Sequence, residues 1–390
     1  MKVSLRVNPD VLRLGLVSLL TDVSSEMIFS VFAILFTTVA GASSQLLGLI
    51  EGLADLWASS LDYVAGWLSD ETGSRKSIAL AGYGFSTLAK SIPLVFSSIA
   101  ALGAFRVLER MGKSVRGPPR DAWLAAIAEQ GVRGYSFGVH KALDKGGAIL
   151  GPLIGYVLLL RLGSTAAAFR ILFWIAFVPA LLSVLLLGFI KERAGSRFPR
   201  QNILSAWTTL GTGFKRYLIA SGIFSLAYFS FGFLLLRAQR AGFVLKDIVL
   251  LYALFNASFV VAAPLIGKLG DEIGRTAVVA SSYVIYLIMS AGFALATEKW
   301  EVVLLFVLYG IFYSIDEAQS KAFIADLEPQ RRATAVGIYN FGTGLVYLPA
   351  SLIAGVLWAR HPNGVFALAA IISAAALVAF LLLRPARERG

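Results

Sequence analysis

The chain has 390 residues, 57% hydrophobic and only 15% charged, where a soluble globular protein carries roughly a quarter charged residues. That balance excludes an ordinary water-soluble domain and places most of the chain in lipid. The net charge of +12 does not make a nucleic-acid surface, because the basic residues fall in short segments between apolar runs. The absence of cysteine excludes disulfides and thiolate metal sites.

A span needs about 20 apolar residues. The sequence offers twelve such segments, near 12–39, 44–68, 77–98, 100–117, 134–160, 168–190, 216–237, 246–268, 276–296, 301–325, 333–358 and 363–384. Met1 to Arg13 is basic and polar without a small-residue cleavage site, so Leu14 onward reads as a retained first span. An even number of spans with a basic start puts both termini in the cytoplasm. The basic segments Val115 to Arg120, Lys191 to Arg200, Lys215-Arg216, Arg331-Arg332 and Arg384 to Arg389 are expected on that side. The polar stretch 191–215 divides the chain into an N-terminal half (1–190) and a C-terminal half (216–390). Arg133 to Gly138 and Arg332 to Gly337 form matching basic-to-glycine starts of a span in the two halves.

Charges inside spans are expensive, about 2.5–3.5 kcal/mol each at the bilayer centre on insertion scales, which makes them functional candidates. Asp22 and Glu26 in the first span are four residues apart and share a face. Nothing in that span neutralises them, and an unpartnered carboxylate in a low-dielectric cavity lowers its energy by taking up a proton. Glu51, Asp55 and Asp62 share a face of the second span. The fourth carries Arg106, Glu109, Arg110 and Lys113, with Arg106 or Arg110 expected as the competing positive charge. His140 and Asp144 lie one turn apart in the fifth, beside Lys141 and Lys145. Asp62 and Arg116 sit near span ends, where a structural role is expected. The second half has Asp316, Glu317 and Lys321, with Glu317 and Lys321 spaced to pair. Asn256 and Asn340, with Tyr228, Phe229, Phe231, Tyr339 and Tyr347, are candidates for its polar and aromatic lining. The asymmetry assigns charge coupling to the first half and shape recognition to the second.

Between the second and third apolar runs lies Gly66-Trp67-Leu68-Ser69-Asp70-Glu71-Thr72-Gly73-Ser74-Arg75-Lys76, expected as a short polar turn. A second copy follows about 200 residues later, at Gly267-Lys268-Leu269-Gly270-Asp271-Glu272-Ile273-Gly274-Arg275. This pattern resembles the loop signature of the major facilitator superfamily of transporters. The run Gly147-x-x-x-Gly151-Pro152-x-x-Gly155 is a small-residue stripe that lets another helix approach, bent at Pro152. It resembles the motif of the exporting, proton-antiporting branches, with Tyr156 where those have another glycine. Arg106 and Arg110 flank the position that resembles the superfamily's arginine motif. The expected loop Arg116-Gly117-Pro118-Pro119-Arg120-Asp121 is similar to one found in prokaryotic permeases.

The resemblance implies an all-α membrane protein with twelve transmembrane helices in two six-helix bundles, related by a pseudo-two-fold axis along the membrane normal and working by alternating access. It implies that Gly66, Asp70, Gly73 and Arg75 form a cytoplasmic latch controlling conformational exchange, with Asp70 facing a helix N-terminus of the other half. No phosphate-binding Gly-x-x-x-x-Gly-Lys-Ser/Thr loop and no nucleophile–base arrangement appear, so neither ATP-driven pumping nor an enzyme is expected, and no cofactor. The expectation is a monomer in the cell membrane that exports a small amphipathic or cationic solute in exchange for protons, its partners being that solute, protons and the lipid bilayer. Alternatives are a metal-ion or metal-chelate transporter using Asp22, Glu26, Glu51 and Asp55, organic-anion uptake on the span-four arginines, and a non-transporting receptor or scaffold.

Overall fold

The computed structural model describes residues 8–128, 133–192, 207, 210–328 and 332–385, apart from the side chains of Asp70, Arg133, Tyr135, Asp271, Ala318, Arg332 and Ala333. Most of the expected linker, the basic chain ends and the Asp70 side chain lie outside the described residues. All regular elements described are helices. They are α1 (Pro9–Ile34, continued by a π-helical turn Leu35–Val39), α2 (Ser44–Thr72), α3 (Arg75–Ala89), α4 (Ile92–Val95), α5 (Ile99–Ile127), α6 (Arg133–Leu162) and α7 (Ala166–Phe189). There follow α8 (Thr212–Ser225), α9 (Gly232–Arg240), α10 (Leu245–Ile273), α11 (Arg275–Leu295), α12 (Lys299–Leu327), α13 (Arg332–Arg360) and α14 (Pro362–Leu383).

Each of the twelve expected spans has its helix or broken pair of helices. By length and composition alone, eight described segments are apolar enough to cross a membrane. The remaining four expected spans are α2, α5 and α12, which carry internal charges, and the broken pair α8–α9. The outward faces are apolar, with Phe189 82% and Leu382 77% exposed, a surface that lipid rather than water must cover.

The chain forms two compact units, and it changes from one to the other inside two helices. Unit 1 comprises the described residues of Met1–Gly41, Trp57–Arg200 and Leu245–Ala253; unit 2 comprises those of Ala42–Leu56, Gln201–Val244 and Leu254–Gly390. In unit 1, α1 packs closely on α6. A Cβ at Gly147 would stand 2.4 Å from the Leu19 carbonyl oxygen, and one at Gly151 2.5 Å from that of Val23. Gly155 makes only ordinary contact, 3.5 Å from Met27. The stripe therefore accepts α1 at two of its three glycines. In unit 2, the first turns of α2 pack on α13, where Ser44 Oγ donates to the Gly355 carbonyl at 3.0 Å.

Several boundaries differ from expectation. The stretch 66–76 is not a loop: α2 runs to Thr72, α3 starts at Arg75, and the break is Gly73-Ser74. Gly73 has φ +69°, and its counterpart Gly274, between α10 and α11, has φ +89°, the left-handed region that glycine enters without steric penalty. Polar residues end an apolar run without ending a helix, since the backbone ladder needs no apolar side chain. Lys76 holds the corner by donating from Nζ to the carbonyls of Gly188 and Ile190, both at 2.7 Å, where α7 runs out of amide partners.

Residues 116–121 are likewise helical, since α5 continues through Pro118 and Pro119. Two ladder bonds are lost there while the helix persists against its neighbours. The seventh span is instead interrupted between Ser225 and Gly232. The Tyr286 hydroxyl donates to the freed Ala227 carbonyl at 2.8 Å, which makes a break tolerable at membrane depth.

Candidate functional site

The charges of unit 1 assemble from α1, α3, α5 and α6 into one network. On α1, Ser18, Asp22, Ser25 and Glu26 recur at three- and four-residue spacing and so share a face. On α5, Arg106, Glu109, Lys113, Arg116 and Arg120 do the same. Lys113 Nζ stands 3.0 Å from Glu26 Oε1 and 3.8 Å from Asp22 Oδ1, so one ammonium serves two carboxylates. Arg116 reaches Asp22 at 3.8 Å, donates to Ser86 Oγ at 3.1 Å, and lies over the Tyr83 ring with its guanidinium carbon 4.7 Å from the centroid. The Tyr252 hydroxyl, from the first part of α10, donates to the other oxygen of Glu26.

A second group lies along the same helices. Lys90, fully buried at 0% exposure, donates to Ser25 Oγ at 3.0 Å, and Ser25 in turn donates to Glu109 Oε1 at 2.9 Å. Glu109 also faces Lys90 Nζ at 3.9 Å and Arg106 at 3.7 Å. The Arg106 guanidinium lies over Phe29, 4.4 Å from the ring centroid, a cation–π contact. At the other end, His140 Nε2 and Ser18 Oγ are 3.1 Å apart. Arg120 donates to Ser18 at 3.1 Å and to Asp144 at 3.4 Å, and Lys141 approaches Asp144 at 3.7 Å.

Asp22, Glu26, Arg106, Glu109, His140 and Asp144 thus come together in one unit. Arg110 is half-buried one turn beyond Arg106. The sequence reading left Asp22 and Glu26 unneutralised within α1 and looked to Arg106 or Arg110. The structure corrects this: Lys113 and Arg116 neutralise them, because Arg106 lies further along α5 and is taken up by Glu109 and Phe29. Arg116, assigned a structural role at a span end, is buried at the centre of the network.

Glu51 and Asp55 belong to unit 2, and Asp22 and Glu26 to unit 1. Among the described residues no group of three or more His, Asp and Glu side chains is placed to hold a metal ion. Gly66 lies 3.3 Å, by its missing Cβ, from Pro118, and Arg75 is buried at the start of α3 rather than exposed in a loop. Phe229, expected in the lining, is buried against Phe233 and Phe366.

Sequence reasoning missed Lys90 and Tyr252. A lysine inside the apolar run Ser86 to Val95 was a legible signal; nothing in the spacing marked Tyr252, whose partner lies 226 positions away.

Helices clad in apolar side chains, with charges paired in the interior, define a multi-pass membrane protein that keeps a polar path among its helices. The Major Facilitator Superfamily model matches residues 14–297 and again 218–390. The chain is 34% identical over 384 residues to an uncharacterized MFS-type transporter of Methanocaldococcus jannaschii, covering 97% of this chain and 94% of that one. It is similar in fold to the crystal structure of the nucleoside transporter NupG, with TM-score 0.78, 12% identity, and 96% and 98% of the two chains covered. A shorter similarity, 28% over 146 residues, or 36% of this chain and 35% of the other, is to the multidrug resistance protein MdtH of Edwardsiella ictaluri. The chain belongs to the major facilitator superfamily. It is a membrane transporter of twelve helices in two six-helix bundles, not an enzyme.

Proposed function

We propose that the protein is a secondary transporter that exports a small amphipathic or cationic solute across the cell membrane in exchange for protons, by alternating access, as a monomer with both termini in the cytoplasm. The observation that carries this reading is the sharing of Lys113 between Glu26 and Asp22, with Tyr252 on the free oxygen of Glu26. In a low-dielectric interior an ionised carboxylate is stable only with a cation or strong donors beside it. A proton on Glu26 cancels its attraction for Lys113, and a cationic solute competes with Lys113 for the same oxygens. Proton and solute therefore exclude one another, which is the requirement for exchange. The partial likeness to a multidrug resistance protein supports export.

In the same reading Gly66, Asp70, Gly73 and Arg75 act as a latch that sets the rate of conformational exchange. Gly147, Gly151, Pro152 and Gly155 let α6 and α1 move as one body.

The test is flux into liposomes containing the purified protein, driven by an imposed pH gradient. Asp22→Asn and Glu26→Gln are expected to abolish pH-driven flux while the protein remains folded and inserted. Wild-type flux and pH dependence in both variants would overturn the reading.

One observation favours a second reading, uptake of an organic anion. The network holds Lys90, Arg106, Lys113, Arg116, Arg120 and Lys141 against Asp22, Glu26, Glu109, Asp121 and Asp144, an excess of one positive charge with His140 neutral. Flux of organic anions that disappears in Arg106→Gln, with no flux of cations, would select it.

A further inference from the structure

Two helices pass from one unit into the other, and different chemistry holds them. α10 runs unbroken from Leu245 to Ile273, yet Leu245–Ala253 belongs to unit 1 and the residues from Leu254 onward to unit 2. Its first turns are buried, with Ile248 and Val249 at 0% exposure and Tyr252 at 3%. Tyr252 meets α1 twice. Its hydroxyl donates to Glu26 Oε2, and its ring stands edge-on to Phe29 with centroids 5.7 Å apart and planes at 71°. α2 crosses in the opposite sense, with Ala42–Leu56 seated in unit 2. There a Cβ at Gly355 would stand 2.6 Å from the Ser44 carbonyl oxygen, and one at Gly52 3.0 Å from the Leu348 Cα. Backbone contacts of that kind take up no proton, whereas the acceptor of Tyr252 can.

The charges around this contact are those of the network. On α1, Asp22 lies one turn before Glu26, and Ser25 beside it accepts from Lys90 of α3 and donates to Glu109. From α5, Lys113 holds the other Glu26 oxygen at 3.0 Å, Arg116 reaches Asp22 at 3.8 Å, and Arg106 lies over Phe29. From α6, Lys145 acts on Glu26 and Asp144 on Asp22 at longer range. All these groups stand on helices that lie wholly within unit 1. Of the groups around Glu26 named here, the Tyr252 hydroxyl alone stands on a helix that leaves the unit.

We infer that Tyr252 is the positioning residue that makes release of the first turns of α10 from unit 1 depend on the charge of Glu26. A hydrogen bond to an ionised carboxylate is about twice as strong as one between neutral groups. An ionised Glu26 therefore grips the Tyr252 hydroxyl, and a protonated one holds it weakly. The step is addition of a proton from water to a carboxylate oxygen, with no other bond made or broken. In alternating access the units move against each other, and a helix seated in both has to let go at one end. A load shifts that equilibrium only through its different affinity for the two states, and here the difference is the Tyr252 bond. The empty carrier, with Glu26 ionised, is the state held; a proton, or a cationic solute that draws the carboxylate away, releases it. Empty carriers thus do not cycle, and exchange stays coupled. The inference deepens the export reading and rests on it for the identity of the two loads.

The chain has no cysteine, so spin labels can be placed cleanly at two points of unit 1. These are Ser164→Cys, exposed between α6 and α7, and Lys246→Cys, half-buried at the start of α10. Pulsed electron–electron distance measurements on the full-length protein in lipid nanodiscs then read the seated and released populations of α10 as the pH is lowered. The expected result is a longer-distance population that grows as the pH falls. In Glu26→Gln it should be raised at every pH. Tyr252→Phe keeps the ring against Phe29 and should raise the released-to-seated ratio at high pH by about tenfold or more, with a flattened pH dependence. An unaltered pH response in Tyr252→Phe, or no pH response in the labelled parent, overturns the inference. Should Tyr252→Phe not fold, Glu26→Gln decides: more release at high pH than in the parent supports the inference, and equal release overturns it. Flux is scored separately. pH-driven flux that is lost in Glu26→Gln, with Tyr252→Phe answering to pH as the parent does, refutes only this inference. No pH-driven flux in the parent, with release governed by pH through Tyr252, refutes only the export reading.

Discussion

Lys113 Nζ and Glu26 Oε1 lie 3.0 Å apart, joining α5 to α1 across 87 positions of sequence. Removing one partner strands a buried charge, at a cost of about 3–5 kcal/mol, whereas removing both leaves far less uncompensated. Lys113→Met is therefore expected to lower the melting temperature of the detergent-solubilised protein markedly, and Lys113→Met with Glu26→Gln to recover most of the loss. Additive effects in this double-mutant cycle would show that the two groups do not depend on one another.

Lys90 and Glu109 form a second pair with the Ser25 hydroxyl between them. Because Lys90 is wholly enclosed, Lys90→Met should destabilise by up to about 3–5 kcal/mol, leaving Glu109 with only Arg106 and the Ser25 hydroxyl beside it. Ser25→Ala removes only hydrogen bonds to charged groups and should cost about 1.5–3 kcal/mol. Thermal unfolding of the three proteins checks the ranking; an effect of Ser25→Ala as large as that of Lys90→Met would contradict it.

The glycines of α6 should respond unequally to alanine. At Gly151 the new Cβ meets a backbone oxygen at 2.5 Å, and backbone cannot turn aside; at Gly155 it finds 3.5 Å to a methionine side chain. Gly151→Ala should destabilise by about 1–3 kcal/mol through overpacking, and Gly155→Ala should be close to neutral. Yield of monodisperse protein and melting temperature are the readouts, and equal behaviour would contradict the packing.

Gly73 and Gly274 hold positive φ at the two equivalent corners. Alanine at either is expected to cost about 1–3 kcal/mol, because an L side chain is strained at positive φ. If Gly73 also times a latch, Gly73→Ala will slow transport while leaving equilibrium binding of solute unchanged. A large fall in binding affinity would assign the residue to the solute site instead.

The architecture was legible because lipid imposes a strict length and composition on each span, and because a duplicated motif marks equivalent corners. Helix ends were less so. The apolar run stops at Leu68 while α2 continues to Thr72, since polar side chains at a membrane edge face water and leave the backbone ladder intact. The break after Ser225 was invisible for the opposite reason: Leu226 to Phe231 is as apolar and aromatic as a span, and hydropathy does not register a hydrogen bond from Tyr286. Within the site, spacing identified the charged faces of α1 and α5 but not how far one helix slides along the other. That offset decides that Asp22 meets Arg116 rather than Arg106.

The quartet of Asp22, Glu26, Lys113 and Arg116 has two negative and two positive members, so it carries no net charge when empty. On the antiport reading, a bound proton and a bound monovalent cation each bring it to the same single positive charge. One-for-one exchange then moves no electrical charge across the bilayer, and the membrane voltage does no work on it. Such a carrier is driven by the proton concentration ratio alone: clamping the potential with potassium and valinomycin should leave its flux unchanged, and collapsing the pH difference with nigericin should stop it.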